Sequence, residues 1–224
     1  MNNAVKDALN VSLTKYAALA DADATDFNKQ LTDAFDKDAG FMEKVASFDK
    51  AFDDNPKFEE LREVYFDLLM INFFTSDAAK LEEDYLESEE WANIEEETLD
   101  RGTELLNLLL YINECKDENI MPSLEDFLKE FLLVDEDEFQ DEFHIYEDLI
   151  SNQSLAESSI EDICNNAGIM NLNEEMVDLF VPFMTFFHQP DIDPAAVKEL
   201  EQHSNNKEYD VAVYTLITNF NKIN

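Results

Sequence analysis

Three side chains spaced three residues apart, Asp141, His144 and Glu147, could hold a divalent metal ion. On a helix this spacing places them along one edge. Carboxylate and imidazole groups on one helix face resemble the ligands of helical di-metal proteins, although those proteins carry complete Glu-x-x-His pairs. The alternative is a solvated acidic helix with a surface histidine, and the sequence favours that alternative. A metal-dependent helical enzyme built on these residues is therefore one hypothesis for function, and it ranks below the two binding hypotheses given below.

Other motifs that carry chemistry are missing from the sequence. Its three glycines, at positions 40, 102 and 168, are isolated, so they cannot form phosphate-binding loops or a nucleophile elbow. No HExxH motif or Cys/His spacing indicates zinc, and the oxygen-rich segments near residues 21 and 36 depart from the calcium-loop pattern. Paired catalytic carboxylates cannot be located among 53 acids. We therefore expect no catalytic residue and no cofactor.

Two dense groups of carboxylates could instead bind a basic partner. The first surrounds Trp91, the only tryptophan, and the second follows position 134. An aromatic ring attracts the cation of Arg or Lys, and neighbouring carboxylates pair with its charge. A solvated helix face with Trp91 packed inward is the alternative for the first group. The candidate binding residues are Glu87, Glu90, Trp91, Glu95, Asp137 and Glu138.

The same carboxylates support two hypotheses for function. The leading one is a non-catalytic interaction protein, an adaptor, chaperone or inhibitor, that binds a basic protein or peptide. The second is a nucleic-acid mimic that inhibits a DNA-binding protein. Mimicry requires rows of acids at roughly the spacing of phosphates, about 6–7 Å along a strand. The sequence alone does not show which acids would form such rows.

The net charge restricts the classes of partner. The chain has 53 Asp and Glu against 15 Lys and Arg, which gives a net charge of −38. Such a field repels nucleic acids and anionic membranes, and it attracts basic proteins, basic peptides and divalent metals. Solubility or adaptation to high salt would also explain the acidity. We expect no direct binding to nucleic acid or membranes, and the oligomeric state stays open.

The sequence also predicts a cytoplasmic location. No apolar run approaches the roughly 18 residues of a membrane span, and the first residues do not resemble a signal peptide. Cys115 and Cys164 belong to no CxxC pair, so we expect reduced thiols.

Composition and periodicity predict an all-α fold of about ten helices, with few or no strands. Three glycines and five prolines are too few for the turns of a sheet protein. Phe41, Val45, Phe48 and Phe52 share one helix face. The segment 64–74 is apolar nearly all round, which predicts a place at the centre of the core.

Local signals predict where several helices begin and end. Ser123 with Asp126, Ser154 with Glu157 and Asn93 with Glu96 have the spacing of helix caps. Gly168 is expected to end a helix in the left-handed conformation, and Pro182 to kink a helix that starts at Asn173. Helices are also predicted from Pro194 to about His203 and over 211–220. No linker interrupts residues 1–224, which predicts a single domain with a weaker subdivision near 115–122.

Overall fold

The computed structural model describes residues 1–75, 83–132 and 144–222. Within these ranges the chain forms helices joined by short turns, without any strand. Eleven of the described α-helices contain seven residues or more, so the all-α prediction is confirmed. None of the described helices has the length and apolar character needed to cross a membrane.

The helices follow one another along the chain with two short 3-10 turns between them. In chain order the α-helices are α1 (Asn3–Leu19), α2 (Thr25–Asp36), α3 (Phe41–Asp53), α4 (Arg62–Thr75), α5 (Glu83–Leu86), α6 (Glu89–Thr98), α7 (Leu105–Glu118), α8 (Leu124–Leu132), α9 (Glu147–Ser151), α10 (Ile160–Ala167), α11 (Phe180–His188), α12 (Pro194–His203) and α13 (Lys207–Asn221). The 3-10 turns are Pro56–Leu61 and Gln153–Glu157.

Helix α13 lies at the centre of the protein and is buried from Tyr209 to Asn221. Its most extensive contact is with α1, so the first and last helices pack together, and α11, α12 and α7 cover its other sides. The two buried threonines at its centre are satisfied within the helix, because the Thr215 and Thr218 hydroxyls donate to the carbonyls of Val211 and Tyr214. The predicted helix over 211–220 is confirmed.

Helix α4 is the second helix that is buried on nearly all sides, as the segment 64–74 predicted. It packs on α7 and α1. Buried side chains from Val5 to Phe220 form one continuous apolar cluster that includes both α4 and α13. At the proposed subdivision near 115–122, the Tyr111 hydroxyl accepts a hydrogen bond from the backbone N–H of Ser123 at 3.0 Å. The division of the chain into domains stays a prediction.

The turn between α6 and α7 is held by a buried carboxyl of α4. The Asp67 carboxyl accepts hydrogen bonds from the backbone N–H of Thr103 at 3.0 Å and from its hydroxyl at 2.5 Å. Burial raises the pKa of Asp67 well above its usual range, against the opposing effect of these hydrogen bonds. Gly102 has a φ of +85°, and a Cβ there would lie 2.5 Å from Asp67 Oδ1, so only glycine fits.

Two arginines fix the other side of this turn. Arg101 pairs with Asp49 of α3 at 3.0 Å and with Glu63 at 3.4 Å, while its guanidinium lies 4.4 Å from the centre of the Phe66 ring. Arg62 also pairs with Asp49, at 3.3 Å. The C-terminal end of α6 is therefore tied to α3 and α4.

Cap predictions are confirmed at one helix and wrong at two. Ser123 caps α8, since its Oγ accepts from the Asp126 N–H at 3.1 Å. Ser154 lies in a 3-10 turn, and α10 is capped instead by Ser159. Asn93 lies inside α6, whose cap is Ser88. The motif Ser-x-x-acid or Ser-x-x-aromatic recurs at several starts here, so spacing alone does not select the correct one.

The predictions for Gly168 and Pro182 are wrong, and the one for Pro194 is confirmed. Gly168 has a φ of −67°, whereas Asn119 adopts the left-handed conformation that ends α7. Helix α11 begins at Phe180, so Pro182 lies in its first turn, where a missing N–H costs no helical hydrogen bond and no kink results. Helix α12 runs from Pro194 to His203, as predicted.

A buried carboxyl in α13, that of Asp210, is expected to make the stability of the fold depend on pH. Asp210 is 6% exposed, and burial, with Asp178 and Glu60 nearby, raises its pKa from 3.8 to about 7 although the Ser204 hydroxyl donates to it. The folded state then binds an extra proton between about pH 4 and 7, so this group's stabilisation is lost as pH rises through 7. We expect the free energy of unfolding, measured with urea, to fall from pH 5 to pH 8.

Asp210→Asn is the matched variant, because it keeps the acceptor for Ser204 and removes the titration. Its unfolding free energy should fall less steeply over the same pH range than that of the original chain. Equal slopes for the two proteins would contradict the assignment to Asp210.

Candidate binding surface on helix α6

Helix α6 contacts the rest of the protein through one narrow face. Ile94 and Thr98 are buried and Trp91 is partly buried, and spacings of three and four place these residues on the same side. The helix starts at Ser88, whose Oγ accepts a hydrogen bond from the Trp91 N–H at 3.1 Å. The remaining positions of α6 are exposed. Its outer face is therefore available to a partner.

Trp91 packs against a group of aromatic rings. Its ring centre lies 5.3 Å from that of Phe74 and 6.5 Å from that of Tyr85. Tyr85 in turn lies 6.2 Å from Phe73. Burial and the nearby Glu90 carboxylate raise the pKa of Tyr85. The inward packing of Trp91 that the sequence left as an alternative is what the structure shows, with part of the ring still exposed.

The carboxylates around α6 are exposed and form no ion pair with any residue that the structure describes. The ion pairs among the described residues all involve other acids. Glu87, Glu90, Trp91 and Glu95 lie on and next to α6, and their role in binding stays a prediction. Where burial is described, the exposed acids here are Glu87, Glu89, Glu90, Glu95, Glu96, Glu97 and Asp100.

Three of these acids lie at an unfavourable end of the helix. Glu95, Glu96 and Glu97 occupy the last turn of α6, which contains no basic residue. Unpaired carbonyls make a helix C-terminus electronegative, so carboxylates there are repelled and a cation is favoured. A partner that brings Lys or Arg to this turn would relieve that repulsion.

Exposed leucines lie at both ends of α6. Leu86 is 40% exposed just before the helix, and Leu99 is 77% exposed just after it. A helix of this length spans about 15 Å, so the leucines bracket the acids over that distance. We call the exposed acids listed above, with Trp91, Leu86 and Leu99, the α6 surface.

The second acidic group and the hypothetical metal site are only partly within the described residues. Asp137, Glu138 and Asp141 lie outside the described residues. His144 has a φ of +51° and precedes α9, which begins at Glu147, so these two do not share a helix. The helix-edge premise is therefore wrong for this pair. In the parts of the chain that the structure describes, no three His, Cys, Asp or Glu side chains come together as a metal site.

The cysteines are unsuited to nucleophilic chemistry. Cys115 and Cys164 are both buried and free. Burial raises the pKa of both thiols, and that of Cys164 reaches about 12. They are therefore protonated at neutral pH, and a thiol reacts much less readily than a thiolate.

Sequence reasoning missed the apolar part of the α6 surface. Leu86 and Leu99 flank the acids, and an apolar residue at each end of an acidic helix was the available signal. The contacts of Trp91 with the rings of Phe74 and Tyr85 form only on folding, and no spacing in the sequence indicates them.

No family model, curated protein or solved structure matches this chain. The function is therefore inferred from the geometry of the α6 surface.

The helix dipole predicts opposite effects for two substitutions that change the net charge equally. Glu97→Gln should raise the melting temperature by about 1–3 °C, because it removes a charge from the electronegative end of α6. Glu89→Gln is the control at the other end, where a carboxylate is favourable, and should leave the melting temperature unchanged or lower it. Equal increases in thermal unfolding experiments would show that only overall charge matters.

Proposed function

We propose that this chain is a non-catalytic interaction protein whose α6 surface binds a basic, amphipathic segment of a partner protein. The observation that carries the proposal is the set of three exposed acids in the last turn of α6, which have no ion-pair partner in the described ranges, with an exposed leucine next to them. A partner with basic side chains for the carboxylates and apolar side chains for the leucine would complement this surface.

Electrostatics supports a basic partner. Lysine or arginine side chains at Glu95, Glu96 and Glu97 would pair with carboxylates that no described cation contacts, and would also oppose the dipole of α6. The long-range field of a chain with a net charge of −38 accelerates the approach of such a segment. Because these groups are exposed, the interaction is expected to weaken strongly as salt is added.

Exposed apolar groups determine the rest of the partner's chemistry. Leu99 and Leu86 would be covered by apolar side chains, and the partly exposed ring of Trp91 offers a further contact. A segment with basic residues on one side and apolar residues beside them fits both features. The surface is small, so we expect a transient interaction and not an obligate complex.

The spacing of acids on α6 argues against nucleic-acid mimicry at this surface. Acids that share a face of α6 are seven residues apart, as Glu90 and Glu97 are, which corresponds to about 10.5 Å. No two acids within α6 lie three or four residues apart. Phosphates along a strand are about 6–7 Å apart. The flanking acids Glu87 and Asp100 lie three residues from Glu90 and Glu97, so only the acids inside the helix depart from the spacing of phosphates. Within the helix, the spacing fits a basic peptide better than it imitates a nucleic-acid strand.

A synthetic peptide tests this proposal, with Trp91 as the reporter. The probe is a peptide of about 18 residues that contains only lysine and leucine in a helical amphipathic pattern. Because Trp91 is the only tryptophan, its fluorescence reports binding at the α6 surface. We expect saturable binding that weakens by about tenfold or more between low and moderate salt.

Matched triple variants separate this surface from general acidity. Replacing Glu95, Glu96 and Glu97 by Gln should weaken binding at least about fivefold, because three charge pairs are lost. Replacing the exposed Glu174, Glu175 and Glu199 by Gln changes the net charge equally and should leave affinity within about twofold. Equal losses in the two variants would contradict the proposal.

A further inference from the structure

A cavity of about 540 Å³ lies where the start of α3 meets the end of α4 and the start of α6. This volume is within the range of small-molecule sites. Phe41 and Phe73 form apolar walls, with ring centres 4.7 Å apart, and Leu69 contributes to the lining. The cavity therefore offers an apolar surface to a ligand of moderate size.

The N-terminus of α3 opens into this cavity without a cap. Gly40 occupies the cap position, and no side chain accepts hydrogen bonds from the first turn. The N–H groups of Glu43 and Lys44 bond to the Gly40 carbonyl, whereas those of Phe41 and Met42 have no acceptor among the described residues. Unpaired amides at a helix N-terminus favour an anion.

A buried amide supplies a further donor, independent of the helix. Asn72 is only 5% exposed and lines the cavity. Its Oδ1 accepts a hydrogen bond from the Asn2 N–H at 3.0 Å, but its Nδ2 donates to no group in the described part of the chain. An amide donor without a protein acceptor, on a residue that lines the cavity, is available to a ligand or water there.

Lys44 adds a positive charge to the same lining. Its ammonium group donates to the Phe35 carbonyl at 2.9 Å and has no carboxylate partner among the described ion pairs. Of the described lining residues only Glu90 is acidic. The protein has a net charge of −38, so a cavity lined by several hydrogen-bond donors and a lysine differs from its generally acidic surface.

We propose that this cavity binds a small organic anion with an apolar body. Its carboxylate, sulfonate or phosphate group would accept hydrogen bonds from the Phe41 and Met42 amides, Asn72 Nδ2 and Lys44. Its aromatic or aliphatic body would lie against Phe41 and Phe73. The site shares only Glu90 with the α6 surface, and the donors proposed to bind the anion lie on α3 and α4, so the proposal stands whether or not the α6 surface binds a basic segment.

The test uses the dye 1-anilinonaphthalene-8-sulfonate and its uncharged analogue N-phenyl-1-naphthylamine. The two share an aromatic body and differ by the sulfonate. We expect the sulfonate dye to bind the folded protein saturably, with energy transfer from Trp91, whose neighbour Glu90 lines the cavity. We expect the uncharged analogue to bind at least about tenfold more weakly, because the anion's hydrogen bonds are lost.

Gly40→Asp tests the helix N-terminus without damaging the fold. A Cβ at Gly40 meets no atom within 4 Å, and an aspartate there would cap α3 with its own carboxylate. We expect dye affinity to fall at least about tenfold while the melting temperature stays equal or rises. Gly40→Ala, which adds the Cβ alone, should keep affinity within about twofold.

Lys44→Met should also weaken the sulfonate dye by about tenfold, whereas Lys29→Met, an equal change of charge at an exposed position of α2, should not. Three results would overturn the proposal. These are a failure of the folded protein to bind the sulfonate dye, equal affinity for the two dyes, and unchanged affinity in both Gly40→Asp and Lys44→Met.

Discussion

The surplus of negative charge has to stay in water, and this constraint determines which segments of the chain can be buried. Among the described residues only two carboxylates are buried, Asp67 and Asp210, and each accepts a hydrogen bond from a hydroxyl, of Thr103 and of Ser204. An isolated buried charge is otherwise too costly. Cohesion therefore comes from helices α4 and α13, which carry few charges and can be covered on nearly all sides.

The chain has few cations, and those described below connect structural elements to one another. Arg62 and Arg101 both pair with Asp49, which joins α3, the start of α4 and the turn after α6. Lys116 lies over the Phe220 ring and donates to the Phe220 carbonyl near the end of α13. These cations hold elements together, and none of the described ones pairs with the acids of α6. Arg101 thus fixes the turn at the C-terminal end of α6, while the acids on the outer face of α6 have no cation partner in the described part of the chain.

The sequence predicted those features that depend on local periodicity and composition. The all-α class, the buried segment 64–74 and the helix from Pro194 to His203 follow from apolar spacing, low glycine content and the proline at a helix start. The starts of α6 and α10 were missed because several serines precede suitable residues, and only packing selects one. Trp91 and the nearby acids could be singled out as a binding segment, but Leu99, Tyr85 and the cavity at Gly40 depend on contacts between residues far apart in sequence. Asp137 and Glu138 lie outside the described residues, so their role in binding stays a prediction.

Binding of a basic segment at the outer face of α6, as proposed above, can be mapped residue by residue. The most direct measurement is the change in backbone amide NMR shifts when the lysine–leucine peptide is added at low salt. We expect the largest changes within residues 86–99, with much smaller changes at exposed acids on α2, α10 and α12. Changes spread evenly over the acidic residues of the chain, or centred on another helix, would contradict the proposal.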